Sequence, residues 1–106
     1  MILVNTDDIA HKKIVESLGL VKGNTIRARN IGRDIVATFK NVVGGEIEEY
    51  TKLLGESREQ ALDRMISQAE EMGANAVVNI RFSTSEIMNG AAEIMAYGTA
   101  VFVEDE

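Results

Sequence analysis

The segment from Ala91 to Val103 constrains the fold most strongly, because it carries apolar side chains in both of its alternating sets. Alternate residues of a strand point to opposite faces of a sheet. One face would hold Ala92, Ile94, Ala96, Gly98, Ala100 and Phe102, and the other Met95, Tyr97, Val101 and Val103 with Glu93 and Thr99. A small sheet covered by helices on one side should have a polar opposite face. The apolar excess predicts burial against something else, most simply another copy of the chain.

Two more strands and one short β-prone run are predicted from the hydrophobic pattern. The short run is Ile2 to Val4. Residues 14–29 are interpreted as extended structure, with bulges or a bend at Gly19, Gly23 and Asn24. Residues 76–82 alternate as a second strand. The Asn89-Gly90 pair then predicts a hairpin turn, since a type I′ turn needs positive φ at both central residues.

Between these strands the period changes to that of a helix. A first helical stripe is formed by Ile31, Ile35, Phe39 and Val42, and Gly44-Gly45 would end that helix. A second stripe contains Ile47, Tyr50, Leu54, Ala61, Met65, Ala69 and Met72. We expect one long helix here, with a kink or a new capping box near Gly55 and Ser57, ending at Gly73.

The predicted element order is therefore β-α-α-β-β. A strand, a helical crossover and a second strand should be right-handed and parallel. The third strand would pair antiparallel with the second through the hairpin. If it also fills the slot between the first two, the three-stranded sheet has the order 1-3-2. This places Ala91–Val103 in the centre, in a two-layer α+β subunit.

The length and composition fit a single domain over residues 1–106. The chain has no Cys, which excludes disulfides and thiolate metal sites, and no apolar stretch of membrane-spanning length. Met1-Ile2-Leu3-Val4 opens without a basic n-region or a long apolar h-region, so we expect no signal peptide and a cytoplasmic protein.

Charge is divided unevenly along the chain. Residues 1–45 hold seven basic and four acidic side chains, whereas residues 46–106 hold four and thirteen, and the formal net charge is −6. An acidic domain is poorly suited to nucleic acid or an anionic membrane surface. The asymmetry reflects either solvated helix faces or a basic half of one subunit that meets the acidic half of another.

Asp7, Asp8 and His11 form the only cluster of carboxylates and imidazole. These groups can ligate a divalent ion, and Asp7 and His11 would face the same way on a helical turn. The alternative is an exposed loop. In a ring of subunits, the Asp7, Asp8 and His11 side chains of several copies could combine at one site.

Two other groups are candidates for binding a small anion. Arg27, Arg29 and Arg33 surround a predicted helix start near Asn30, where free N–H groups favour a phosphate or carboxylate. Gly44 and Gly45 precede the second helix, with Tyr50 one turn further on. The alternative for the arginines is pairing with Glu46, Glu48 and Glu49 of another subunit, or simple solvation. The alternative for the glycines is a tight interhelical turn with Tyr50 in the core or an interface.

Four ordered segments resemble the YbjQ-like family, a group of small bacterial and archaeal proteins of unassigned function. The segments are 41–46, 49–54, 69–78 and 96–101, which read NVVGGE, EYTKLL, AEEMGANAVV and AYGTAV. The resemblance implies a dodecin-like subunit with strand order 1-3-2 in a closed homo-oligomer, typically a pentamer. It supplies no reaction, and no metal ligands are carried over from the family, because this chain has no Cys and a single His.

The sequence favours a non-enzymatic binding module over an enzyme. It contains no P-loop and no dinucleotide fingerprint. We expect a homo-oligomer that binds a metal ion or small anion at subunit boundaries. The alternative is a scaffold that binds partner proteins on its acidic helix face, with no small-molecule ligand. No cofactor is identified.

Overall fold

One long helix lies on one face of a four-stranded mixed sheet. The computed structural model describes residues 1–27, 45–88 and 91–106. The elements in order are β1 (Ile2–Leu3), β2 (Lys12–Arg27), α1 (Gly45–Glu71), β3 (Ala76–Met88) and β4 (Ala91–Asp105). The predicted helix at 31–42 and the predicted turn at Asn89-Gly90 lie outside the described residues.

The sheet has the strand order β1-β3-β4-β2. As predicted for the segment after residue 90, β4 lies between two antiparallel neighbours, β2 and β3. The predicted three-stranded sheet of order 1-3-2 is nevertheless wrong, because Ile2–Leu3 adds a fourth strand. This strand, β1, pairs parallel with β3, where Ile2 faces Ala76 and Leu3 faces Val77.

Two strands differ in detail from the pattern that predicted them. Pairing with β4 carries β3 to Met88, well beyond the predicted end at Phe82. In β2 the register shifts between Ser17 and Gly19, and Gly19 has a φ of 125°. The predicted bulge at Gly19 is therefore confirmed, and only a residue without Cβ adopts that φ at low cost.

The predicted long helix is present as α1 and is continuous through Gly55 and Ser57. A new capping box at Ser57 is therefore wrong; the buried Ser57 hydroxyl instead donates to the Leu53 carbonyl at 2.9 Å. The helix ends as predicted at Gly73, whose φ is 85°. The Ala74 N–H donates to the Ala69 carbonyl and the Gly73 N–H to Glu70, the paired bonds of a Schellman motif.

Each face of the sheet has its own apolar core. On the helix side, Ala61, Met65 and Ala69 of α1 are fully buried. They pack with Val21, Val77, Ile94, Ala96 and Ala100. On the opposite side, Ala76, Val78, Val101 and Val103 contact Ile2, Val4, Ile9 and Ile14. The N-terminal segment therefore buries one end of the second face of β4 within the same chain.

Candidate functional site

The rest of the second sheet face is the candidate site, and we call it the open face. It lies beyond Val101 and Val103, which the N-terminal segment helps to bury. Cross-strand register places its residues in rows on β2, β4 and β3. The open face consists of Leu20, Lys22, Asn24 and Ile26 of β2, Glu93, Met95, Tyr97 and Thr99 of β4, and Arg81, Ser83 and Ser85 of β3.

Exposed aliphatic side chains flank the centre of the open face. Leu20 is 69% exposed and Ile26 is 58% exposed, although both are large hydrophobic residues within a strand. Leu20 lies diagonally across from Tyr97, and Ile26 from Met95, and these two β4 side chains are half-buried. Single exposed aliphatic residues are common on monomers, whereas here two exposed and two half-buried apolar side chains lie together on one face of the described sheet.

Polar groups on the open face lie among these apolar side chains. Lys22 and Arg81 are the cross-strand partners of Tyr97 on its two sides. The Arg81 Nη1 group donates to the Asn5 carbonyl at 2.8 Å. The Asn24 amide donates to a Glu93 carboxylate oxygen at 2.9 Å. The open face therefore interleaves apolar side chains with polar and charged ones of both signs.

Asp7, Asp8 and His11, the predicted metal ligands, lie in the exposed loop between β1 and β2. The loop is a series of bends and a turn, so the exposed-loop alternative describes this segment, and not the helical turn that would align Asp7 with His11. His11 has a φ of 64°, and its carbonyl accepts from the Glu106 N–H at 3.2 Å. Within the described ranges, no group of three or more His, Asp or Glu side chains could hold a metal ion.

An ion pair joins the start of β2 to the end of β4. Lys12 Nζ contacts the Asp105 carboxylate. The hydrogen bond and charge of Lys12 hold the pKa of Asp105 below its ordinary value. The stabilisation is therefore present at neutral pH and is lost as the pH falls through the lowered pKa. It is small, since the Asp105 side chain is 83% exposed.

Comparison with known proteins places the chain in a family. Residues 1–104 match the family model YbjQ, whose description is "Putative heavy-metal-binding". This chain belongs to the YbjQ family. A UPF0145 protein of Dehalococcoides mccartyi is 61% identical over 104 residues, which cover 98% of this chain and all of the relative. A UPF0145 protein of Methanosarcina acetivorans is 56% identical over 101 residues, 95% of each chain.

A solved structure shares the fold. It is a protein of unknown function of the DUF74 family from Pediococcus pentosaceus. The two chains superpose with a TM-score of 0.65 over 98% of each, at 13% sequence identity. The likeness supports the α+β fold and carries no information about ligands.

The metal named in the YbjQ description does not fit the described residues of one copy. The sequence contains no Cys, and His11 supplies its only imidazole. Soft metals prefer thiolate, thioether and imidazole ligands. Asp7, Asp8 and His11 are exposed, and the described residues do not bring them together as a group that could hold a metal ion.

The predicted anion site of this YbjQ-family chain lies largely outside the described residues. Arg29, Arg33 and Gly44 fall in the range 28–44. The structure places Arg27 at the last position of β2, Gly45 at the first position of α1, and Tyr50 further along α1. Its binding role stays a prediction.

An open groove on the helix side of the sheet was missed by the sequence interpretation. It has a volume of about 510 Å³. The groove is lined by Leu3, Val4, Asn5, Thr6, Leu62, Ile80 and Phe82. It could not be found without knowing where β1 lies. The described residues that line it carry no ionisable side chain. Within the described part of the chain, no helix has the length and hydropathy of a membrane span.

Proposed function

We propose that this protein is a non-enzymatic binding module that works as a homo-oligomer, a ring of five according to its family resemblance. The observation that supports assembly best is the exposure of Leu20 and Ile26 beside Tyr97 and Met95. Covering the exposed part of each of these two aliphatic side chains contributes roughly 1–2 kcal/mol, because both are already partly covered. A second copy of the chain is the partner that is present wherever the protein is made, and we propose that it covers the open face.

The distribution of charge also supports contact between copies. Lys22 and Arg81 are exposed on the open face. Exposed carboxylates lie along α1, on the other side of the sheet, at Glu56, Glu59, Asp63, Glu70 and Glu71. In a head-to-tail ring, the open face of one subunit would meet the α1 side of its neighbour. The basic side chains of the first and the carboxylates of the second would then set the register between subunits.

Two substitutions on the open face test the assembly. Leu20→Lys with Ile26→Lys should reduce a large particle to one or two chains, because each lysine places a charge in the proposed contact. Sedimentation velocity at micromolar protein measures the mass. Val15→Lys is the matched control, since Val15 is a 44% exposed aliphatic residue of β2 outside the open face. An unchanged mass in a well-folded double variant would contradict the proposal.

We propose that the ligand is a metal ion or a small anion bound where copies meet. One copy offers too few described ligands for a metal, but a ring brings several copies of Asp7, Asp8 and His11 together. For an anion, Arg27 and its neighbours are the candidate donors. The alternative function is a scaffold whose acidic α1 surface binds partner proteins without any small ligand.

Equilibrium dialysis with elemental analysis separates these functions. Chelated protein reloaded with Zn²⁺, Ni²⁺ or Cu²⁺ should take up stoichiometric metal if the metal version holds. Asp8→Ala and His11→Ala should then lower the affinity at least tenfold. If the protein takes up none of these metals and its stability is the same with and without them, the proposal of a metal ligand is contradicted. Dialysis against inorganic phosphate, with Arg27→Glu as the variant, tests the anion version in the same way.

A further inference from the structure

The outer edge of β3 is paired along only half of its length. The N-terminal segment runs beside β3, and the Val4 N–H donates to the Val77 carbonyl at 3.1 Å. The last such contact along β3 is the Ile80 N–H, which donates to the Val4 carbonyl at 3.2 Å. Beyond Ile80, no residue in 1–27, 45–88 or 91–106 forms a backbone hydrogen bond with this edge.

The direction of each backbone group beyond Ile80 follows from the alternation of a strand. The Ile80 N–H points outward, away from β4. Successive residues direct their N–H and C=O groups to opposite edges. Counting from Ile80, Phe82, Thr84 and Glu86 therefore present their backbone groups outward, whereas those of Arg81 and Ser83 point toward β4; all five residues are in register with β4. The outward groups are free donors and acceptors within the described part of the chain.

The opposite edge of the sheet, on β2, is protected. Gln68 Oε1 of α1 accepts from the Lys22 N–H at 2.7 Å. Arg64 Nη1 donates to the Asn24 carbonyl at 2.6 Å. Edge strands are otherwise blunted by Lys, Pro or a covering element. The residues from Phe82 to Glu86 include no Lys and no Pro, and only Glu86 is charged.

We propose that the β3 edge from Phe82 to Glu86 pairs with the same edge of a second copy, antiparallel and about a two-fold axis. Centred on Thr84, this register sets Phe82 of each copy opposite Glu86 of the other, so no like charges are directly opposed. It forms about six backbone hydrogen bonds from groups that are otherwise unpaired. It also covers part of Phe82, which is 44% exposed.

Edge pairing does not rest on the proposed function, because it uses the strand edge and not the open face. In the Leu20→Lys, Ile26→Lys variant, edge pairing should remain and give a dimer at about 100 µM protein. Adding Thr84→Pro should weaken this dimer at least tenfold, because proline removes an outward N–H and blocks the approach of another strand. Proline is tolerated where the N–H of an edge strand faces outward, so the fold should be retained.

A matched proline and an amide measurement complete the test. Ser83→Pro removes an N–H that points to β4, so it should lower stability where Thr84→Pro does not; circular dichroism melts compare them. In the dimer of the Leu20→Lys, Ile26→Lys variant, hydrogen exchange should protect the amides of Phe82, Thr84 and Glu86. A folded monomer in the open-face variant, or equal dimerisation with and without Thr84→Pro, would overturn the proposal. Protected outward amides in a particle of single-chain mass would also overturn it, since the edge would then be covered within one chain.

Discussion

Gly23→Ala is expected to lower the free energy of unfolding by about 3 kcal/mol, the upper part of the range for overpacked cores. At Gly23 the sheet and α1 make backbone contact. A Cβ added there would lie 2.3 Å from both the Ala61 carbonyl oxygen and the Met65 nitrogen. Neither atom belongs to a flexible side chain, so the helix itself must move away from β2.

Urea denaturation followed by circular dichroism measures this loss. Gly55→Ala is the matched control, because the same methyl group there meets only Arg58 Nη2 at 3.9 Å. Alanine favours a helix over glycine by roughly 0.5–1 kcal/mol, so this variant should be more stable than the wild type. Equal stability of the Gly23→Ala variant and the wild type would show that α1 does not lie so close to β2.

Met65→Ala should cost about 2–5 kcal/mol, as expected for truncation of a fully buried side chain. Met65 is 0% exposed and lies in the centre of the helix-side core. The helix cannot close the cavity, because the Gly23 contact already fixes its distance from β2. Thermal and urea denaturation should both show the loss.

The control for Met65 is another methionine of the same predicted stripe. Met72 is 37% exposed. Its Cε lies 3.5 Å from the position of an ideal Cβ on Gly19. Met72→Ala should therefore cost less than half as much as Met65→Ala. Equal costs would contradict the placement of the core along α1.

The periodic parts of the fold could be predicted from the sequence. The stripe Ala61, Met65 and Ala69 indicated the buried side of α1, and all three residues are buried. Gly73 indicated where α1 ends. The central position of β4 followed from its two apolar faces and the hairpin signal. These features depend on local pattern and chain connectivity, which the sequence contains.

The parts that depend on distant pairing could not be predicted. The run Ile2–Val4 is predicted to be β-prone, and β1 forms there, but its pairing with Ala76 and Val77 of β3 could not be predicted because two residues show no alternation. The run Ser83-Thr84-Ser85 becomes strand because β4 pairs with it, although its polar residues show no periodic signal. Burial of Val101 and Val103 by the N-terminal segment also reduces the apolar excess that assembly must cover.

The open face was not among the site residues that the sequence singled out. The apolar excess on β4 indicated an uncovered surface, which the structure locates beside Leu20 and Ile26. No pattern singled out these two residues, because alternating aliphatic residues in a strand ordinarily point to a core. The Asp7, Asp8 and His11 cluster was proposed from residue type alone, and the described loop leaves all three exposed.

The native mass of the wild-type protein in solution tests the central claim most directly. Sedimentation velocity on the folded chain at micromolar concentration should give a particle of more than two 11.6 kDa subunits, because edge pairing alone gives at most a dimer. A folded species of 11.6 kDa over that concentration range would contradict assembly through the open face.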